Sequence, residues 1–386
     1  MRVLLTNDDG IQAAGLGAMR RALAELPGVQ LAVVAPDGNR SAYGRMITTR
    51  EPLWVDEIEF EDGSTGFATD GSPVDCVRFA ALGLVESPPE LIVSGINHGA
   101  NLGDDITYSG TVAAAFEGIV LGVPAIAVSQ QSGNREMDFR LGSSFDFEQA
   151  AAFVARVVEE LEHVPFPKST LLNVNCPAGG VNGARACRLG KRIYRDRLEL
   201  TEESNGRRRY RIYGDDPSYH EEDGTDFAAL EGIVLGIPAI AVSQQADHGE
   251  MDFRAASGWA REDFVQAAAF AARMVEELER VPIPPGTLLN VNCPVGEIRG
   301  ARAARLGKRI YNDRMELTEE ADGRRRYRIY GERPGYQHED GTDFAAMADG
   351  CIAVTPIHFD LTDQAGVDQL AGFDLDALLK PAAREV

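Results

Sequence analysis

Through the first half of the chain, short continuous runs of apolar residues alternate with segments whose apolar positions recur at helical spacing. Val3-Leu4-Leu5, Val29 to Ala35, Leu91 to Ser94, Pro124 to Ser129 and Leu171 to Asn175 read as strands buried on both faces. Asp75 to Leu84 and Val112 to Phe116 carry the three-to-four spacing of helices. Several strands stop at turn formers: Asn7-Asp8-Asp9-Gly10, Pro36-Asp37-Gly38 and the stretch Gly95 to Gly99. Buried strands alternating with helices predict an α/β protein with a mostly parallel, doubly wound, Rossmann-like sheet.

The pattern then returns. Glu117 to Gln131 recurs almost letter for letter at Glu231 to Gln245, an offset of 114. After a three-residue insertion the offset is 117: Asn173 to Pro177 recurs as Asn290 to Pro294, and Arg207 to Gly214 as Arg324 to Gly331. Glu222 to Ala229 recurs as Glu339 to Ala346. Two long copies indicate a tandem duplication, unlike the several short repeats of a solenoid. The expected division is a core of residues 1–229 completed by the tail 347–386, with 230–346 a second copy of 117–229. Direct connection to residue 116 favours the first copy as the one that completes the core, because a shorter closure costs less entropy. The surplus copy, an inserted lobe that borrows or swaps strands with another chain, exposes unpaired strand edges unless it docks on something, which predicts oligomerisation or poor solubility.

Bulk properties narrow the function. A formal charge of −22 removes a basic surface for a nucleic-acid polymer. It leaves room for a small phosphate-bearing substrate if a metal supplies the positive charge. The chain start lacks a signal-peptide layout, and no apolar run approaches the length needed to span a bilayer. Five scattered cysteines without CxxC spacing read as reduced structural thiols of a cytoplasmic protein, with no zinc site.

Four segments can carry chemistry. Asp8 and Asp9 follow the first strand, where adjacent carboxylates repel each other unless a cation joins them. Asn39-Arg40-Ser41 lies beyond the second strand and offers a loop amide and hydroxyl; Asn97 ends the Leu91 strand. With the loop amide and hydroxyl completing an oxygen shell beside the two aspartates, an Asp, Asp, Ser, Asn set suits Mg²⁺ or Mn²⁺. Ser109-Gly110-Thr111, at the start of the Val112 helix, offers N–H groups and hydroxyls to a phosphate. Each segment alone also reads as an ordinary turn or cap, and His98 alone reads as structural. Three of the four follow strands on one edge of the sheet, which argues for one shared site.

These segments resemble the survival protein SurE family. The resemblance rests on Leu4 to Gly10, Asn39 to Ser41, Gly71 to Cys76 and above all Ser94 to Thr111, with Asn173 to Pro177 and Gly224 to Asp226 fitting as well. It spans essentially the whole chain once one copy of the repeat is set aside. Gln12 and Ala14 depart from the His and Pro of many relatives. The resemblance implies a metal-dependent 5′/3′-nucleotidase with a Rossmann-like core, acting on nucleoside monophosphates. It implies catalytic Asp8 and Asp9, metal ligands at Asp8, Asp9, Ser41 and Asn97 for one Mg²⁺ or Mn²⁺, and a phosphate loop at Ser109, Gly110 and Thr111. It also implies a dimer or tetramer and a protruding hairpin at Leu189 to Gly214 that recurs at Leu306 to Gly331.

A water activated at the metal is the expected nucleophile, with Asp8 itself as the alternative. Two other classes compete: a catalytically silent variant whose duplication serves assembly, and a dinucleotide-dependent oxidoreductase. No G-x-G-x-x-G follows the first strand, which weakens the last. The second copy repeats none of the four segments, so one active site per chain is expected.

Overall fold

The computed structural model describes residues 1–49, 51–133, 145–161, 163–164, 166, 169–179, 181, 183–190, 192–193, 196–204, 207–214, 218–219, 225, 239–244, 264–277, 280, 287–294, 296–310, 312–331, 335–337, 339–358 and 361–379. The chain divides into two compact units. The first comprises Met1–Leu235, Arg314–Tyr330 and Thr362–Val386; the second comprises Gly236–Asp313 and Gly331–Leu361.

The first unit is α/β, as its strand and helix patterns predict. Strands β1 (Arg2–Thr6), β2 (Gln30–Pro36), β3 (Leu53–Glu59), β4 (Thr65–Thr69), β5 (Leu91–His98), β6 (Ala125–Gln130) and β7 (Leu171–Cys176) form one sheet in the order β3-β4-β2-β1-β5-β6-β7. Pairing is parallel throughout except between β3 and β4. Alternate side chains separate to opposite faces, as the two-residue period of a strand requires. Val3 and Leu5 pack with Leu16, Met19 and Leu23 of α1 (Ala14–Ala24) and with Val154, Val157 and Val158 of α4 (Glu148–Glu159). Leu4 packs on the other face with Val77 and Phe79 of α2 (Pro73–Phe79) and Val112, Ala114 and Ala115 of α3 (Gly110–Leu121). Burial on both faces explains why these strands read as unbroken apolar runs.

From β1 the chain passes through α1 to β2 on one side, whereas β5, α3 and β6 continue on the other. The order therefore reverses between β1 and β5. Such switch points leave a crevice at the carboxyl ends of the strands.

Both copies of the repeat contribute to the first unit. The first copy supplies β7, and the second supplies the hairpin Asp313–Ala321 with Arg324–Gly331. That hairpin extends the sheet by pairing Arg325, Arg326 and Tyr327 antiparallel to Val55, Trp54 and Leu53 of β3. Arg324 grips Asp56 through two bonds of 2.6 and 2.9 Å and lies over Trp54. Ile329 is buried, and Tyr327 meets Phe79 edge-on. The matching hairpin of the first copy, Asp196–Ser204 with Arg207–Gly214, pairs with itself as a separate two-stranded sheet and exposes Leu198 and Tyr210.

The second unit repeats the pairing of β6 with β7. Strand Ala239–Gln244 runs parallel to Thr287–Cys293 with Ala239 opposite Leu288, as Ala125 stands opposite Leu171. The tail strand Cys351–His358 closes the other edge of Thr287–Cys293, antiparallel, and pairs in turn with Gly300–Ala303. The helix Val265–Glu276 corresponds to α4. Among the described residues, no helix is long and apolar enough to cross a membrane.

Candidate active site

The turn after β1 is shaped by its outer residues. Asn7 Nδ2 donates to Gly10 O at 2.9 Å, and Gly10 N–H donates back to Asn7 Oδ1 at 3.2 Å. Gly10 adopts φ +107°, and a Cβ there would lie 3.0 Å from the backbone of Gly38, so only glycine lets the loops after β1 and β2 meet. With Asn7 and Gly10 closing the turn, Asp8 and Asp9 occupy its centre.

Asp8 is 3% exposed. Its Oδ1 accepts from the Thr111 hydroxyl, and its carbonyl accepts from Arg40 N–H at 2.6 Å. Gly110 opens α3 directly against it: a Cβ at Gly110 would lie 2.8 Å from Asp8 Cβ and 2.9 Å from Oδ2. Asp9 is held on both oxygens. His98 Nδ1 lies 2.8 Å from Oδ2, which also accepts from His98 N–H at 3.1 Å, while Asn39 Nδ2 reaches Oδ1 at 3.4 Å. Phe145 and Phe147 each set an edge-on ring 5.0 Å from the imidazole of His98.

The remaining residues singled out in the sequence sit beside these contacts. Ser41 follows Arg40, and its N–H is fixed by Asn39 Oδ1 at 2.8 Å. Asn97 precedes His98 at the end of β5; its Nδ2 donates to Gly99 O at 2.8 Å, leaving Oδ1 as the amide's ligand-type atom. Ser109 is the N-cap of α3, accepting from Val112 N–H at 3.1 Å. Asp8, Gly110 and Thr111 are thus in direct contact, Asp9 adjoins Asp8 in the turn and is held by His98 and Asn39, and Ser41 and Asn97 each stand one residue from one of these contacts.

Two supports were not singled out for the site. His98 reads as structural in the sequence, yet both its main chain and its ring hold Asp9. Asn101 is locked by the asparagines of β7: Asn173 Nδ2 and Asn175 Nδ2 donate to its carbonyl at 2.9 and 3.0 Å, and its N–H donates to Asn175 Oδ1. Asn-Val-Asn in a buried strand is the visible signal, since such amides need partners.

The electrostatics are those of an anion pair in a dry place. Burial, foremost, and the neighbouring Asp9 push the Asp8 carboxyl up to about 6, against the opposing pull of the Thr111 hydroxyl. A divalent cation relieves that conflict. Among the described residues no group of three or more His, Cys, Asp or Glu side chains gathers around an ion. The available donors are instead two carboxylates, a hydroxyl and an amide oxygen, and this set fits Mg²⁺ or Mn²⁺.

Fold and site define an α/β protein with paired buried carboxylates facing a helix N-terminus at a sheet switch point. The family model for survival protein SurE matches residues 3–196 and 221–313, and the chain belongs to that family. It is 51% identical over 244 residues to 5′-nucleotidase SurE of Rubrobacter xylanophilus, covering 91% of that protein and 62% of this chain. It is 47% identical over 233 residues to 5′-nucleotidase SurE of Chloroflexus aggregans, covering 88% and 60%. The crystal structure of the SurE protein from Aquifex aeolicus is 28% identical, covers 95% of this chain and 96% of its own, and aligns with a TM-score of 0.34.

Proposed function

We propose that the chain is a metal-dependent phosphatase that hydrolyses nucleoside monophosphates, at the 5′ or 3′ position, to nucleoside and phosphate. The observation that carries this reading is the bond from Thr111 to Asp8, which joins the acidic pair to the first turn of α3. A phosphate placed there meets backbone N–H groups and the positive end of the helix. Membership of the family and the names borne by the relatives support hydrolysis of phosphoric monoesters.

Asp8, Asp9, Ser41 and Asn97 are assigned to one Mg²⁺ or Mn²⁺. When bound, that ion supplies positive charge to phosphate oxygens and acidity to a water. Gly110 lets the start of α3 come directly against Asp8, and the Ser109 to Thr111 turn steadies the phosphoryl group. Thr111 and His98 hold the two carboxylates in place, so their geometry exists before substrate arrives. All these residues lie between positions 8 and 111, on segments that occur once in the chain. The duplication therefore leaves the assigned set intact, which disfavours a silent assembly variant.

Phosphate release from AMP, measured with and without Mn²⁺, tests the reading. Release is expected only with metal, and the double variant Asp8→Asn, Asp9→Asn is expected to lose it entirely. Undiminished release by that variant would remove the assignment.

A further inference from the structure

Among the described residues of 1–133, six large apolar side chains are exposed: Met1, Tyr43, Met46, Ile47, Tyr108 and Leu121. Exposed apolar residues scattered singly need no explanation, but a cluster does. Four of the six fall on two touching segments. Tyr43, Met46 and Ile47 follow Ser41, and Tyr108 precedes Ser109. Gly44 N–H donates to Tyr108 O at 3.1 Å, and a Cβ on Gly44 would lie 3.9 Å from Tyr108 Cα.

The segment bearing Tyr43 is tied down rather than frayed. Thr48 donates through its N–H and hydroxyl to buried Asp75 at 2.9 and 2.8 Å. Arg45 pairs with Glu117 at 3.0 Å, and the Arg40 guanidinium lies 5.9 Å from the Tyr43 ring centre. Tyr108 is 62% exposed although its own backbone is bonded on both sides, its N–H donating to Asp105 O. Two fixed loops thus hold aromatic rings in water next to the candidate phosphate turn.

We propose that Tyr43 and Tyr108 form the platform on which the purine or pyrimidine base of the substrate lies while its phosphate occupies the Ser109 to Thr111 turn. The inference rests on the nucleotidase reading. Its physical basis is that a nucleobase is a flat, uncharged π-surface, which stacks on aromatic rings with little regard to sequence identity. Tyr108 and Ser109 are adjacent, so their Cα atoms stand about 3.8 Å apart. That adjacency anchors an aromatic residue at the edge of the phosphate turn.

The test compares AMP with ribose 5-phosphate, the same ester without a base, in Mn²⁺. In Tyr43→Ala and in Tyr108→Ala, the ratio of KM for AMP to KM for ribose 5-phosphate is expected to rise about tenfold, the size of one lost stack. Tyr108→Phe should keep the ratio, as should Leu121→Ala, which removes an exposed apolar residue outside the cluster. An unchanged ratio in both tyrosine-to-alanine variants overturns the proposal. So does a change of oligomer size by light scattering without a change of ratio, which would make the cluster a contact between copies of this chain. Absence of phosphate release from either ester by the unaltered chain overturns the nucleotidase reading itself, a different result from an unchanged ratio.

Discussion

At the scale of single residues, the site is built from short polar groups whose roles depend on their neighbours. Asn7, Asp8, Asp9 and Gly10 are adjacent, yet the outer pair shapes the turn and the inner pair faces the other loops. His98 shows how such a role is decided. Its main-chain and ring nitrogens both reach Asp9 Oδ2, and two phenylalanine rings hold the imidazole edge-on. On the proposed assignment of Asp9 to the metal, a group that orients that carboxylate is worth about tenfold or more in metal affinity. His98→Ala is therefore expected to weaken Mn²⁺ binding about tenfold by titration calorimetry, and His98→Asn, which can place a donor near the Nδ1 position, should recover most of the loss. Equal Mn²⁺ affinity in the alanine variant and the unaltered chain would show that Asp9 needs no such support. The acidic pair, Ser109 to Thr111 and their strand-end setting were legible in the sequence. The tie from His98 to Asp9 was not, because residues 89 positions apart meet only when β1 and β5 lie side by side.

Among elements, the two hairpins separate local sequence from environment. Arg207 to Gly214 and Arg324 to Gly331 are identical, residue for residue. Each forms a strand of an antiparallel hairpin, as its alternation and turn demand. Only the second pairs with β3, half-burying Tyr327 against Phe79 and burying Ile329. Tyr210, the counterpart of Tyr327, is 46% exposed. Tyr327→Ala should thus cost about 2 kcal/mol in urea unfolding, below the cost of truncating a fully buried aromatic. Tyr210→Ala should cost no more than about 0.5 kcal/mol, the range of surface substitutions. Equal losses would mean that the two hairpins share one environment. The strands Ala239–Gln244 and Cys351–His358 give a second case. Both carry an Ile-Ala-Val core, yet one runs parallel and the other antiparallel to Thr287–Cys293. Apolar strand character was readable for each, but strand direction follows from the path of the connecting chain.

For the whole molecule, the duplication is the dominant feature. The alignment to the Rubrobacter relative uses 91% of that protein and leaves more than a third of this chain unmatched. The surplus is not shapeless, since the second copy reproduces the register of β6 with β7 and the bridge Arg188 to Thr225 as Arg305 to Thr342. Each partner that the second copy supplies has an equivalent in the first. Leu171–Cys176 has the same residues as Leu288–Cys293, which receives the tail strand, and Arg207–Gly214 matches the hairpin strand that caps β3. Deleting residues 230–346 joins Ala229 to Met347 and restores one uninterrupted copy. The shortened chain is expected to fold, as followed by circular dichroism, and to release phosphate from AMP in Mn²⁺ at a rate within about twofold of the full chain's. Loss of folding would show that the second copy contributes strands the first cannot replace.

By itself the sequence determined the α/β class, the positions of most strands in the core, the repeat and the cluster of polar strand ends. These are carried by apolar periodicity and by local turn chemistry, which act over a few residues. Tertiary structure alone decided which of two hairpins sharing an identical strand docks on β3, which way the tail strand runs, and that His98 and Thr111 each fasten one aspartate. Identical segments have identical local preferences. What distinguishes them is the partner brought alongside by distant parts of the chain, and no local pattern encodes that choice.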